Sequence, residues 1–150
     1  MATSTADRVA EALINLSHDK QDPISNLKLQ KLLYYSQAWY LAIFKKPLFN
    51  EDIEAWVHGP VVPQVFRRYR ICRWSPIPKG DSEGMSPRDS RHIVEIWKAY
   101  GKFGAYDLER MTHADKPWKH ARSGLLPDES SHRVITKDSM MRYYSSRLHG

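Results

Sequence analysis

The sequence predicts a mainly α, compact single-domain fold spanning residues 1–150, with at most one small β element. Three observations carry this. Apolar residues recur at helical spacing in one segment after another, whereas alternating, strand-like spacing is confined to a few residues. Serine, threonine, asparagine or aspartate precedes several of these segments, and glycine or proline closes them. No internal repeat, heptad run or low-complexity tract divides the chain.

The first helix is expected from Thr5 to about Asn15, after a frayed start at Met1–Ser4. Val9, Ala12, Leu13 and Leu16 fall on one side, with Asp7, Arg8 and Glu11 on the other. The polar run Ser17–Pro23 ends it, and Pro23 biases Asp22 away from helical angles.

Ser25 or Asn26 caps the central helix, whose side-chain oxygen can accept from an early free N–H. Leu29, Leu32, Leu33, Ser36, Tyr40, Ile43 and Phe44 share one face, the expected core seam. Gln30, Tyr34, Gln37 and Leu41 form a second face. Lys28, Lys31, Tyr35, Ala38, Trp39 and Ala42 form a third. From Ala38 to Phe44 the helix is apolar all round, so burial is expected there. The first two turns carry the polar and basic groups and are expected to reach solvent or a partner.

Lys45-Lys46-Pro47 stops this helix, with Leu48 and Phe49 folding back onto it and Asn50–Asp52 turning. Ile53–Val57 reads as a brief extended segment, and Gly59-Pro60 as a breaker. Pro63 suits the first turn of a helix to about Arg70, with Val62, Val65, Phe66 and Tyr69 on its apolar side. Trp74–Met85 is rich in Pro, Gly and Ser and is expected to be a mobile surface loop. Ser86-Pro87-Arg88-Asp89 reads as a cap, a first-turn proline and an acidic residue three positions after the cap. That helix continues through Ile93, Val94, Ile96, Trp97 and Tyr100 to Gly101. Ala105–Thr112 is a short helix with Tyr106, Leu108 and Met111 as its apolar contributors. A turn at His113–Asp115 leads into a helical turn opened by Pro117-Trp118, then a loop from Ser123 to Ser131. Val134-Ile135 pairs with Ile53–Val57. Thr136 or Asp138 caps a last helix carrying Met140, Met141, Tyr143 and Tyr144.

Composition narrows the function classes. The chain is 41% hydrophobic and 11% aromatic, with five tryptophans and eight tyrosines, which supports a packed core. A mean hydropathy of −0.61 with 27% charged residues implies a well-solvated exterior. The net charge of +6 suits an acidic partner, protein or nucleic acid, through long-range steering. A single cysteine, Cys72, leaves no internal disulfide and fits a reducing cytoplasm. The polar start MATSTADRVAEA has no signal-peptide pattern, and Ala38–Phe44 is too short to span a membrane. A soluble cytoplasmic protein is expected.

Catalytic and metal chemistry find little support. The seven histidines offer no pair at zinc-binding spacing, and His113 reads as a structural neighbour of Trp118. Cys72 lies among arginines that would favour its thiolate, but no base or orienting partner is evident. Gly80 and Gly84 match no phosphate-binding loop. Glu51, Asp52 and Glu54 read as a solvated turn. Trp56, Trp97, Trp118 and Tyr100 are expected in the core. No cofactor is expected. Four arginines, Arg67, Arg68, Arg70 and Arg73, fall within seven residues and invite contact with phosphates or an acidic protein face.

The segments LKLQKLLYYSQAWYLAIFKKPLF and IEAWVHGPVVPQVFRRYR resemble the first half of the Panacea domain, the SocA-like antitoxin domain also found in phage-associated GepA-type proteins. WKAYGKFGAYDLERMTHADKPWKHAR and HRVITKDSMMRYY are similar to the family's later segments. The resemblance covers Asp7 to Tyr144. It implies a bacterial or prophage-encoded antitoxin that neutralises a cognate toxin protein by direct binding. The SocA type delivers its toxin to a cytoplasmic protease, so a protease is the second partner implied. The toxins paired with this domain are diverse, so the fold does not name one.

On this reading the partner contacts are Lys28, Gln30, Lys31, Tyr34, Tyr35, Arg67, Arg68 and Arg70, because tyrosine and arginine dominate interface hot spots. Internal hydrogen bonding that positions the Trp56–Pro60 loop is the competing role for Gln30, Tyr34 and Tyr35. Recognition would then fall to the 74–85 loop and the last helix. A DNA-binding regulator using the 67–73 arginines is the alternative function.

Overall fold

The computed structural model describes residues 2–81 and 84–148. Among these, the chain forms α1 (Ala6–Asp19), α2 (Asn26–Phe44), β1 (Ile53–Trp56), β2 (Gly59–Val61), α3 (Pro63–Tyr69) with a 3₁₀ turn at Arg70–Cys72, α4 (Pro87–Tyr100), α5 (Ala105–His113), α6 (Lys116–Ala121), β3 (Val134–Ile135) and α7 (Lys137–Leu148). The mainly α expectation is borne out, with a small sheet ordered β2-β1-β3.

α2 is the axis of the molecule, and α1, α3, α4, α5, α7 and β2 all pack on it. Ser25 caps it, its hydroxyl accepting from the Lys28 amide at 3.3 Å. Lys45 closes it in the left-handed conformation, φ 59°, with its amide donating to Leu41. The burial expected at Ala38–Phe44 holds for Ala38, Tyr40, Leu41 and Ala42, but the solvent access expected of the first two turns does not. Asn26 and every residue from Lys28 to Ala38 are buried, whereas Ile43, assigned to the core seam, is 47% exposed. The reason is position: the first half threads between other elements and the last turn emerges from them. A face-by-face reading cannot see this, because α2 has no solvent face over most of its length.

Three further expectations change. Thr3 meets the Tyr40 hydroxyl at 3.0 Å and the Ser4 amide donates to Leu48, so the start is anchored from Thr3 rather than frayed; Met1 lies outside the described residues. α1 runs on to Asp19, past the predicted stop near Asn15, because Ser17 is buried with its hydroxyl donating to Ile14 at 2.6 Å. Gly59-Pro60 does not break the chain but forms β2, paired antiparallel to β1 with Trp56 opposite Gly59 and Ala55 opposite Pro60. Proline is tolerated there because β2 is an edge strand. Gly59 adopts φ +110°, a conformation that side-chain-bearing residues rarely take.

Other expectations hold. Leu48 and Phe49 are buried against α2, held by Gln37, whose amide nitrogen donates to Phe49 at 2.6 Å while its oxygen accepts from the Leu48 amide at 2.8 Å. Ser86 caps α4 by accepting from Asp89, and β3 pairs with β1 through Ile53 opposite Ile135. Thr136 caps α7, its hydroxyl accepting from the Ser139 amide at 3.1 Å. The 74–85 loop departs from its expectation: it is not a free surface loop but is pinned to α1, with Ile77 buried, the His18 ring hydrogen-bonding its carbonyl at 2.7 Å, and Asn15 clasping Gly80. Ser82 and Glu83 of that loop lie outside the described residues.

Candidate partner-binding surface

The predicted contact residues separate into two groups. Lys28, Gln30, Lys31, Tyr34 and Tyr35 are all buried, so in this chain they do not form a surface, contrary to their expected access to solvent. Arg67, Arg68 and Arg70 are exposed.

The buried group holds the hairpin and its neighbours in place. Gln30 donates to Asn26 at 3.0 Å and accepts from the Val62 amide at 2.9 Å, and Asn26 donates to the Phe66 carbonyl at 3.0 Å. The N-cap amide of α3 and a carbonyl within α3 are thus paired with α2 rather than with water. The Lys31 ammonium reaches the Pro60 carbonyl at 3.4 Å. Desolvation lowers the Lys31 pKa to about 7, with the Glu109 carboxylate opposing. Lys28 donates to the Gly101 carbonyl at 2.6 Å beside the Trp97 ring; burial lowers its pKa too, against the pull of Asp22.

Tyr34 and Tyr35 belong to an aromatic cluster around Asp115. Asp115 takes the N-cap position of α6 but turns its carboxylate toward tyrosine hydroxyls. It accepts from Tyr34 at 3.2 Å, from Tyr143 at 3.4 Å and from Tyr144. Burial raises the Asp115 pKa, while these hydroxyls hold it down. Burial also raises Tyr34 and Tyr144, with the Asp115 charge adding to it. Tyr35 stacks on Tyr100 with centroids 3.8 Å apart, and Trp39 donates to the Tyr100 hydroxyl at 2.7 Å. His113 stacks on Trp118 at 4.1 Å, as its structural reading expects.

The arginines differ among themselves. Arg68 pairs with Asp7 at 3.3 Å and Glu11 at 3.5 Å, tying α3 to α1. Arg67, Arg70 and Arg73 make no ion pair among the described residues. Two of these, Arg70 and Arg73, stand at the margin of a cleft of about 800 Å³ between the β1–β2 hairpin, α3 and α5. Its inner lining is apolar, with Trp56, Val57, Val61 and Phe66. Trp56 and Phe66 meet edge to face at 5.2 Å, and the Trp56 indole donates to Glu54 at 2.9 Å.

Two large aromatics complete the cleft: Trp74, the first residue of the loop offered as the competing recognition element, and Tyr106, which the sequence assigned to no site. Trp74 is 84% exposed, and Tyr106, expected to pack inward, is 72% exposed. Nearby, Ile71 is 89% exposed. The sequence signal for Trp74 was its setting: a large aromatic in a Pro/Ser-rich loop directly after an arginine run has no helical face to bury it. Tyr106 carried no comparable signal, because its helical spacing matched that of core residues.

Among the described residues no group of three or more His, Cys, Asp or Glu side chains is placed to hold a metal ion, and no helix is long and apolar enough to cross a membrane. Cys72 is half-buried and packs against the core, and among the described residues no histidine or carboxylate hydrogen-bonds to it. The arrangement of polar groups is one of support beneath an aromatic, arginine-edged surface.

Comparison with known proteins identifies the family. Residues 29–119 match the family model described as antitoxin SocA-like, Panacea domain. That span runs from α2 through α6, so it includes the buried polar support, the hairpin, α3 and α5. Antitoxin SocA of Caulobacter vibrioides (strain NA1000 / CB15N) is 36% identical, over 77% of this chain and 71% of that protein. No solved structure matches the chain significantly. The chain belongs to the SocA-like antitoxin family and carries its Panacea domain.

Proposed function

We propose that this chain is an antitoxin that neutralises a toxin protein by binding it directly, with Arg67 and Arg70 at the contact surface. Family membership carries the reading. It is supported by a surface that combines arginine and large exposed aromatics, the residue types that dominate protein–protein hot spots. A protein that acts by occupying its target needs such a surface and no catalytic constellation.

The reading is tested by expressing the toxic reading frame encoded beside this chain, with and without it, in a bacterial host. Co-expression is expected to restore growth and the two proteins to co-purify. Growth arrest that persists beside abundant soluble antitoxin overturns the proposal. The Arg67→Glu, Arg70→Glu double variant is expected to weaken the complex at least about tenfold while staying folded. An unchanged affinity removes these arginines from the contact. The protease-adaptor mode is read in the same strains: the toxin level falls when the antitoxin is present, and recovers when the cytoplasmic protease is inactivated. Under simple occlusion the toxin level is constant. The DNA-binding alternative draws less support, because Arg68 is engaged by Asp7 and Glu11. A duplex-DNA titration with no binding at low salt ends it.

A further inference from the structure

The 800 Å³ cleft between the hairpin, α3 and α5 exposes mainly apolar surface, although Asn26, His58, Ser130, Ser131 and His132 also line it. Monomeric proteins rarely leave large apolar patches uncovered without a binding role. Here Trp74 and Tyr106 extend the apolar lining outward, both mostly exposed. The edge is cationic in net effect. Arg70 and Arg73 there face one carboxylate of the lining, Glu109, which also lies 3.3 Å from the His58 ring. Arg70 and Arg73 have no acidic partner among the described residues. The cleft therefore combines an apolar trough with arginines awaiting counter-charges.

We infer that this cleft seats a short segment of a partner protein that presents two or more large apolar side chains flanked by aspartate or glutamate. Apolar side chains would replace water over Trp56, Val61 and Phe66. Trp74 and Tyr106 would close on them from the margin. The flanking carboxylates would pair with Arg70 and Arg73, where arginine's planar fork donates two parallel hydrogen bonds to the carboxylate oxygens. A basic segment would meet like charge at the same edge. The inference deepens the reading of the chain as a direct-binding antitoxin and rests on it, in that the segment then belongs to the toxin.

The test selects peptides without assuming the toxin. A phage-displayed library of random 12-residue peptides is panned against the full chain, and enriched peptides are synthesised and titrated by calorimetry. The expected consensus is paired large apolar residues with acidic flanks. Trp74→Ala, Tyr106→Ala alters two exposed side chains and leaves the far-ultraviolet circular dichroism unchanged; it is expected to weaken these peptides at least about tenfold. Arg70→Glu, Arg73→Glu is expected to weaken them by a similar factor and to abolish the preference for acidic flanks. No enrichment, a consensus without acidic flanks, or unchanged affinity in either folded variant overturns the assignment. The two proposals fail separately. Peptides that bind as expected, beside a toxin that the chain does not neutralise, leave the cleft standing and sink the antitoxin reading. A toxin bound with unchanged Kd by the Trp74, Tyr106 variant leaves the antitoxin reading standing and sinks the cleft.

Discussion

Lys31→Met is the most informative single substitution in the scaffold. Lys31 is completely buried, and among the described residues its amine has one long hydrogen bond, to the Pro60 carbonyl at 3.4 Å. Burial lowers its pKa from 10.5 to about 7. The unfolded chain therefore holds a proton that the folded chain has released between about pH 7 and pH 10.5. Stability must rise with pH through that window, and the penalty for burying the amine is largest below pH 7. The full gap corresponds to about 5 kcal/mol, of which about 2 kcal/mol is recovered between pH 7 and pH 9. Methionine at this position is apolar, flexible and close in volume, and does not titrate. Urea unfolding followed by tryptophan fluorescence, on both proteins at pH 7, 8 and 9, isolates the lysine, because other titrations cancel in the difference. The variant is expected to be the more stable protein at pH 7, with its advantage shrinking by about 2 kcal/mol by pH 9. Parallel stability curves would falsify the claim that burial has depressed this amine.

Other substitutions test the support beneath the cleft. Gly59→Ala places a Cβ 2.9 Å from both the Lys31 side chain and the Thr112 hydroxyl, at φ +110°; a loss of about 2–4 kcal/mol in urea unfolding is expected, and a loss under 0.5 kcal/mol contradicts the tight approach. Asp115→Ala strands the buried Tyr34 and Tyr144 hydroxyls, with an expected cost of about 2–5 kcal/mol. Asp115→Asn keeps an acceptor and should cost less, so equal losses would count against a hydrogen-bonding role. Arg122 donates to the carbonyls of Ala55 at 3.0 Å, Leu126 at 3.1 Å and Glu129 at 2.5 Å. Arg122→Ala is expected to cost about 2–3 kcal/mol and to speed amide exchange across 125–131; unchanged exchange there would show that the loop is held by other contacts.

Much of the fold was legible because helix ends are local. Ser25, Ser86 and Thr136 each cap with their own hydroxyl, and Pro63 and Pro87 sit in first turns, so neighbouring residues contain the whole signal. The β1–β3 pairing was also readable from two short extended segments. β2 was not, because glycine followed by proline reads as a break unless a neighbouring strand and α2 satisfy its backbone. The family was legible for a different reason: long ordered segments of α2 and α3 carry it, whatever their side chains touch.

The surface was the harder part. Sequence alone determined that α2 is the organising helix and that arginines gather from Arg67 to Arg73. Only the tertiary structure decided which polar residues face outward. Lys28, Gln30, Lys31, Tyr34 and Tyr35 look like an interface in the sequence, yet each is buried. Trp74 and Tyr106 look like a loop residue and a core residue, yet both stand exposed beside Arg70 and Arg73. The physical reason is that burial depends on partners distant in the chain. Gly101, Pro60, Val62 and Asp115 supply the hydrogen bonds that let polar groups of α2 leave water, and those partners lie from 29 to 81 residues away. Periodicity along one helix reports which residues share a face, but not what that face meets.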